Sequence, residues 1–466
     1  MGWWDLDDIP RLNPTTTLDM NKAMPLSKAR GPNLGQTFRW KVFTPYYRLL
    51  CLVLASNMIA LVWICQKHVS NSRLIAIQTA VMANTFAVTV FRNEHIINAL
   101  FRLAIFATSR AAPLWWRRFC SQIYCFDGIH SGADIAVFVW FLALTVLLVQ
   151  EYTSQGPIVE RSAVAVAACI CTLLAAIIIL TLPQIRHRMH TIFEYAHGFC
   201  AWMVIVLFWA EMVLLGKVHA QETSESLLRF LLKSVSFWLL LLTTFLAIYP
   251  WFWLRHVCVE VEKLSNQAAR IWFDGEDTHT YHALRYRTIR IATNPLRETH
   301  SFAVIQGREG QNCSIVVSRA GDFTQHIIES PPKKMWIKGM PTWGFSCAAT
   351  LFPRIVIVTT GSGISQCLGL VNDSGTPPCR IFWSAKAPLQ TYGQGILDIV
   401  EKAEPNAVII DTNVTGHPNM MQYTYQLYRE SGAEAVLIIS NAKLTHTLCQ
   451  ELESRGVPTF GPRGDS

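Results

Sequence analysis

Residues 353–369 read PRIVIVTTGSGISQCLG. Arg354 to Val358 is a short β-branched run, the composition of a strand buried on both faces. Thr359 to Gly363 form a turn whose two glycines let a ligand approach the backbone closely. From Ile364 the pattern reads as the first turns of a helix. Strand, glycine turn and helix N-terminus in succession gather free N–H groups and the positive end of a helix dipole at one point, which suits a pyrophosphate. This assigns Thr360, Gly361, Ser362, Gly363 and Ile364 to a nucleotide. Alone, such a turn is as often only a turn; the chain beyond it decides. Apolar runs at 379–383, 407–411 and 435–439 alternate with helical segments at 395–403, 420–431 and 445–455. That alternation predicts an α/β doubly wound domain over 348–466. Lys386, after the second strand, either meets a nucleotide 2′-phosphate or is an ordinary surface lysine.

The whole chain has 466 residues, 51% hydrophobic and 15% charged, with a net charge of +8. So apolar a composition, concentrated in the first half, points to membrane-spanning segments. No arginine-rich run is interleaved with aromatics, so nucleic acid is excluded as the partner. The 13 cysteines include no CxxC pair, and Cys169 and Cys171 lie in an apolar run; reduced, structural thiols are expected.

Residues 1–44 show no basic n-region ahead of an apolar core, and Gly2 lacks the hydroxyl of a myristoylation signal. They are expected to form a cytoplasmic arm with a basic end at Lys28, Arg30, Arg39 and Lys41. A six-helix transmembrane bundle is expected over 45–254, with spans near 46–65, 74–91, 133–149, 163–182, 192–215 and 227–253. Arg92, Arg102, Arg110, Arg117 and Arg118 lie between spans two and three, and Arg186 and Arg188 between four and five. By the charge bias of short loops those connections face the cytoplasm, and both termini with them. The chain is thus expected to be a multi-pass protein of the plasma membrane or an endomembrane. The sequons at Asn312, Asn372 and Asn413 should be unused.

Polar groups in such helices call for a reason. His130 precedes Asp134 in span three; His190, Glu194 and His197 open span five, with Glu211 deeper. Two readings stand for the histidines: interfacial polar groups, or His130 and His197 as axial ligands of one haem iron.

Residues 255–347 carry short strand patterns at 257–263, 268–273, 286–292, 301–306, 313–319 and 335–338, with a helical piece at 323–330. Six short strands predict a β-barrel. His300-Ser301-Phe302-Ala303 opens one strand, and Gly339-Met-Pro-Thr-Trp-Gly344 is a glycine-bracketed loop.

Across about 46–466 the chain resembles the ferric reductase and NADPH oxidase superfamily, and within it the fungal TmpA-type transmembrane FAD/NAD(P)-binding oxidoreductases. The residues behind the resemblance are Arg92-Asn-Glu-His-Ile-Ile-Asn98, Phe126-Asp-Gly-Ile-His-Ser-Gly132, Phe193-Glu-Tyr-Ala-His197, His300–Ala303, Gly321-Asp-Phe-Thr324 and the tail from Phe460. The resemblance implies a ferredoxin-reductase-like module, with FAD on the barrel and NAD(P)H on the sheet. It implies electron flow toward the membrane and one inner haem b at most, on His130 and His197. It turns His300 and Phe302 toward the isoalloxazine, although Phe302 also reads as barrel core. It offers Ser301, Ala303, Arg319, Thr324, Gly339 and Gly344 as further flavin contacts. Three departures stand out. Leu142–Leu147 and Phe208–Met212 hold no outer-haem histidine. Ser301 and Ala303 replace a proline and a hydroxyl residue. Ser440-Asn441 replaces a cysteine-glycine. The expected function is a membrane flavin oxidoreductase in fungal secondary metabolism or developmental signalling, acting on a small lipophilic substrate or electron acceptor. The alternatives are a redox-inactive nucleotide-binding scaffold and a true ferric reductase or superoxide producer.

Overall fold

A computed structural model describes residues 26–27, 44–67, 70–154, 160–273, 286–297, 299–305, 313–371 and 377–462. The N-terminal basic residues, the sequons at 312 and 372 and the last four residues lie outside them. The chain divides into two compact units. One holds Lys41–Ile96 and Cys125–Phe252. The other holds Ile97–Tyr124 and Trp253–Ser466.

The first unit is helical. Its long helices are Pro45–Lys67, Ser70–Val90, Asp127–Ser154, Arg161–Thr181 and His190–Thr223. The span expected at 227–253 is two helices, Leu227–Lys233 and Val235–Ile248, because Ser234 is extended at φ −77° and ψ 124°. Six stretches are long and apolar enough to cross a bilayer. Trp140, Phe141, Leu144, Ile170 and Phe208 fill the interior, while Leu52, Ile59, Phe199, Val206 and Leu241 are exposed. Gly128 and Gly132 let one helix touch another: a Cβ on Gly128 would lie 2.2 Å from Tyr46 O, and one on Gly132 3.1 Å from Leu50 O. Small residues four apart are the usual means of such close approach.

In the second unit the barrel strands are β1 (Arg255–Lys263), β2 (Ala268–Phe273), β3 (Arg287–Ala292), β4 (His300–Ala303), β5 (Ser314–Ser318), β6 (Lys334–Ile337) and β7 (Thr342–Trp343). They are antiparallel in the order β4-β3-β6-β1-β2-β5, with β7 added beside β3. A single bridge between Ile305 and Ser314 joins the two ends, so the barrel is nearly closed. Val257, Ile271, Ile289, Ile291, Ile315, Val317 and Met335 fill it, the inward set of alternating strands.

The following strands are β8 (Ile355–Thr360), β9 (Cys379–Ala385), β10 (Val408–Asp411), β11 (Ala435–Ile439) and β12 (Thr459–Phe460). They are parallel in the order β10-β9-β8-β11-β12, one strand more than expected. The order reverses between β8 and β11, and that reversal fixes where a ligand can enter such a sheet. Every described residue of β9 and β11 is buried, as parallel strands covered by helices on both faces must be. All 13 cysteines are free thiols.

The division differs from the expected boundary at 254/255. Segment 97–124, expected as a basic loop of the bundle, groups with the barrel and sheet. Arg117 is 7% exposed at its side chain and pairs with Glu434. It also donates to Leu351 O at 3.3 Å and Ala112 O at 2.8 Å. Arg110 donates to Thr350 O at 3.1 Å, and Tyr124 Oη to Gly461 O at 3.1 Å. These arginines have partners within the protein, so counting them as loop charges overstates the topological signal.

Candidate functional site

The carboxyl ends of β8 and β11 meet at the point where strand order reverses. Gly361–Gly363 form one helical turn there, and helix Ile364–Val371 begins directly after. Gly361 takes φ +50°, and a Cβ on it would meet nothing within 4 Å. Gly363 is different: its Cβ would lie 2.6 Å from both Ile439 O and Thr359 Oγ1. One glycine thus shapes a space beside the turn, and the other lets β8 and β11 close on each other. Trp383 of β9 donates its indole N–H to Gly361 O at 3.1 Å, fixing the turn. Thr360 and Ser440 join their hydroxyls across the strand ends. Ser365 Oγ donates to Ser362 O at 2.6 Å, and Ile364 is fully buried. All five turn residues therefore gather at the reversal point, and the donor chemistry fits a dinucleotide pyrophosphate.

Lys386 is exposed just past β9. Beside it the Ala387 N–H donates to Asp411 Oδ1 at 2.9 Å, and Asn413 N–H donates to the same oxygen at 2.9 Å. Ser440 occupies the position where the resembled family carries a cysteine. Burial, as the leading cause, pushes the nearby thiols of Cys367 and Cys379 up to about 12. Neither is poised as a thiolate at neutral pH.

On the barrel, β3 and β4 pair Ile291 with His300, Ile289 with Phe302, Arg290 with Ser301 and Thr288 with Ala303. His300 and Phe302 share a face, as alternation requires. His300 stacks on Phe323, centroids 4.2 Å apart, at the start of helix Asp322–Glu329. Phe302 packs against the barrel core, so its bland reading holds as well. Thr324 Oγ1 accepts from Ala320 N–H at 2.9 Å and Gly321 N–H at 3.1 Å, capping that helix. Arg319 pairs with Glu329 at 3.1 Å, which draws it away from the helix start. Gly339 takes φ +73°, and Gly344 packs against Thr288 and the Tyr286 carbonyl. The sequence reading missed Thr288. It is the cross-strand partner of Ala303, and its hydroxyl lies 3.0 Å from that of Thr342. Only strand register could reveal it.

In the helical unit His130 Nδ1 lies 3.0 Å from Val88 O, and His197 packs on Phe193 with centroids 5.3 Å apart. Among the described residues no group of three or more His, Cys, Asp or Glu could hold a metal ion.

A family model described as the C-terminal domain of adenylate-forming reductase 03009 matches residues 345–466, which is the parallel-sheet region. Adenylate-forming reductase 03009 of Coprinopsis cinerea is 37% identical over 437 residues, and adenylate-forming reductase 06235 of the same fungus is 38% identical. The chain is similar to fungal adenylate-forming reductases. The alignments take in 93% and 92% of this chain but 41% of each relative, so the chain spans about two fifths of their length. Among solved structures, a ferredoxin NADP+ reductase from Neisseria gonorrhoeae with bound FAD and NADP overlaps 45% of the chain and 98% of its own, at TM-score 0.37 and 10% identity. Phthalate dioxygenase reductase overlaps 45% of the chain and 68% of its own, at TM-score 0.35 and 11% identity.

The two relatives correct the expectation drawn from the ferric reductase resemblance. Proteins similar over nearly the whole chain are named adenylate-forming reductases, not ferric reductases or oxidases. The reading as a ferric-reductase-type flavoprotein of secondary metabolism or development falls. The superoxide-producing alternative falls with it, and neither relative's name supports the inner haem on His130 and His197.

Proposed function

We propose that this chain is the NAD(P)H-dependent reductase portion of a protein akin to the adenylate-forming reductases. It is an oxidoreductase that takes reducing equivalents from a nicotinamide nucleotide on the parallel sheet through FAD on the barrel. The observation that carries the reading is the Gly361–Gly363 turn at the reversal point, with open space beside Gly361 and a nearly closed antiparallel barrel in the same unit.

FAD supplies the chemistry of accepting a hydride from NAD(P)H and passing electrons onward. The chain's own residues bind and orient. Gly361 admits the nucleotide pyrophosphate, Trp383 holds the turn rigid, and Lys386 receives a 2′-phosphate, which favours NADPH. His300 and Phe302 on β4 carry the flavin-facing edge, with Thr324 and the start of helix Asp322–Glu329 beside them. Ala303 offers no hydroxyl there, and that of the facing Thr288 is engaged with Thr342. The relatives' names join adenylate formation to reduction, and an acyl adenylate is a carbonyl compound open to hydride. The substrate is accordingly a small lipophilic acyl compound activated at its carbonyl carbon. Hydride adds to that carbon, and the activating group leaves with the electron pair of its bond.

The six apolar helices insert into a bilayer, with both termini on the cytoplasmic side. Exposed Leu52 and Ile59 on one of them and Phe199 and Val206 on another support this. Protease added to sealed vesicles whose cytoplasmic side faces inward should spare the C-terminal lobe; its removal would overturn that arrangement.

The function is tested by absorbance of the protein purified from flavin-replete cells. Bound FAD should bleach on adding NADPH under anaerobic stopped flow, and Ala303→Ser should bleach faster. A protein that contains no flavin would sink the reading and favour the nucleotide-binding scaffold.

A further inference from the structure

Segment 97–124 lays a second group of side chains against the β3–β7 edge of the barrel. Asn98 Oδ1 accepts from Trp343 N–H at 3.0 Å, and its amide donates to Pro341 O at 3.1 Å. Phe106 packs on the Trp343 indole with centroids 4.5 Å apart. The Arg287 guanidinium also lies over that indole, 4.7 Å from its centroid. Arg102 opens the single helical turn that ends at Phe106, the residue packed on Trp343, and after burial its charge is what disfavours the Arg287 cation. Arg110 is held near Tyr286, the residue before Arg287.

Two donors in this group, Arg287 Nε and Trp343 Nε1, are buried and have no hydrogen-bond partner among the described residues. A buried donor left unmade costs free energy, and like charges brought together cost more. An anion placed between Arg102, Arg287 and the Trp343 indole N–H would meet both unmade donors and both charges. The planar guanidinium fork suits a phosphoryl group, whose oxygens accept two bonds at once.

We infer that Arg102, Arg287 and Trp343 form a phosphate-binding site shared between segment 97–124 and the barrel edge. Two sources carry the same chemistry: the pyrophosphate of a flavin dinucleotide, and a phosphate ester on the substrate or its leaving group. The first source rests on the flavin reading above; the second does not.

The test compares wild type with Arg287→Gln, Arg287→Lys and Arg102→Gln. Arg102 is exposed, so its variant leaves the fold intact even where an Arg287 change does not. Flavin content is read by absorbance after gel filtration, and binding of AMP and of inorganic pyrophosphate by calorimetry on the flavin-loaded protein. If the site takes the flavin's phosphates, the Gln variants lose FAD, and added riboflavin, which has no phosphate, binds them as it binds wild type. If it takes a substrate phosphate, FAD stays and AMP affinity falls at least about tenfold. In either case Arg287→Lys recovers only part of the loss, because the fork is gone. Gln variants that keep both FAD and AMP affinity would overturn the site. Wild type without flavin that still binds AMP through these residues would overturn the flavin reading alone.

Discussion

The glycine turn at 361–363 and the arginine group at 102, 110 and 287 belong to the same unit but are built in opposite ways. The turn is local. Seventeen consecutive residues hold its strand, its glycines and its helix, and β8 reaches it fully buried except for its last residue. The arginine group is assembled across nearly 250 positions, from Asn98 to Trp343, and each member taken singly is an ordinary surface residue of its neighbourhood. Of the two phosphate sites proposed above, one is written as backbone in one place and the other as side chains brought from several. Sequence patterns expose only the first kind.

The sharpest way to break the local site is Gly363→Val. Its Cβ would meet the Ile439 carbonyl and Thr359 Oγ1 at 2.6 Å, and the carbonyl cannot move without opening β8 from β11. A loss of about 3 kcal/mol is expected, read as a fall in thermal midpoint, and nucleotide binding disappears because the sheet does. An unchanged midpoint would show that the strands have slack. This variant therefore reports on folding, and a different glycine must report on the ligand.

Next in size is the docking of segment 97–124. Glu434→Ala leaves Arg117 buried with only the Leu351 and Ala112 carbonyls. Breaking one side of a buried ion pair is costly; with Glu434 about a third exposed, about 2 kcal/mol is expected in urea. No change in midpoint would mean that the segment holds by its other contacts alone.

Gly361→Ala separates binding from folding. Its φ of +50° costs a side chain about 1 kcal/mol, while the open space around it absorbs the methyl. NADPH affinity should fall about tenfold with FAD retained, which titration by fluorescence would show. Equal affinity would remove the nucleotide from this turn.

The smallest effect is one of pH. Burial, and then the Arg290 charge, lower the Lys338 ammonium from 10.5 to about 8. Between about 8 and 10.5 the unfolded chain binds more protons than the folded one, so folding gains stability as pH rises through that window. Below about 8 the full penalty of a half-buried cation is present. Lys338→Met should flatten that rise, as unfolding midpoints measured across the window would reveal. A slope equal to wild type would assign it to another group.

Much of the architecture was legible because it rests on period and composition. β9 and β11 appear where continuous apolar runs stand, and the long helices appear where about twenty apolar residues do. β12 was not legible: Thr459–Phe460 is two residues, and only the neighbouring β11 makes it a strand. The break at Ser234 was hidden because a serine inside an apolar run changes hydropathy little. Thr288 was missed because its relevance depends on facing Ala303, a fact of register. Segment 97–124 was misplaced because its arginines resemble the charges of a membrane loop, and charge alone does not say whether its partner is water or Glu434. The ferric reductase assignment failed for another reason. Half of the motifs behind it, His300–Ala303, Gly321–Thr324 and the tail from Phe460, lie in a barrel and sheet that proteins with different substrates share, and the other half are short stretches of helix.

The path of the chain bears on modularity. It leaves the helical unit at Ile97, returns to it at Cys125 and leaves again at Trp253. A gene fragment cut at 253 would encode the barrel and sheet without the strip that covers Trp343, Phe352 and Glu434. Such a fragment would be born with an open seam, prone to self-association. Recombination that swapped one unit for a foreign one would meet the same obstacle, since no single crossover separates them. An engineer who wants the reductase alone must graft residues 97–124 back onto it.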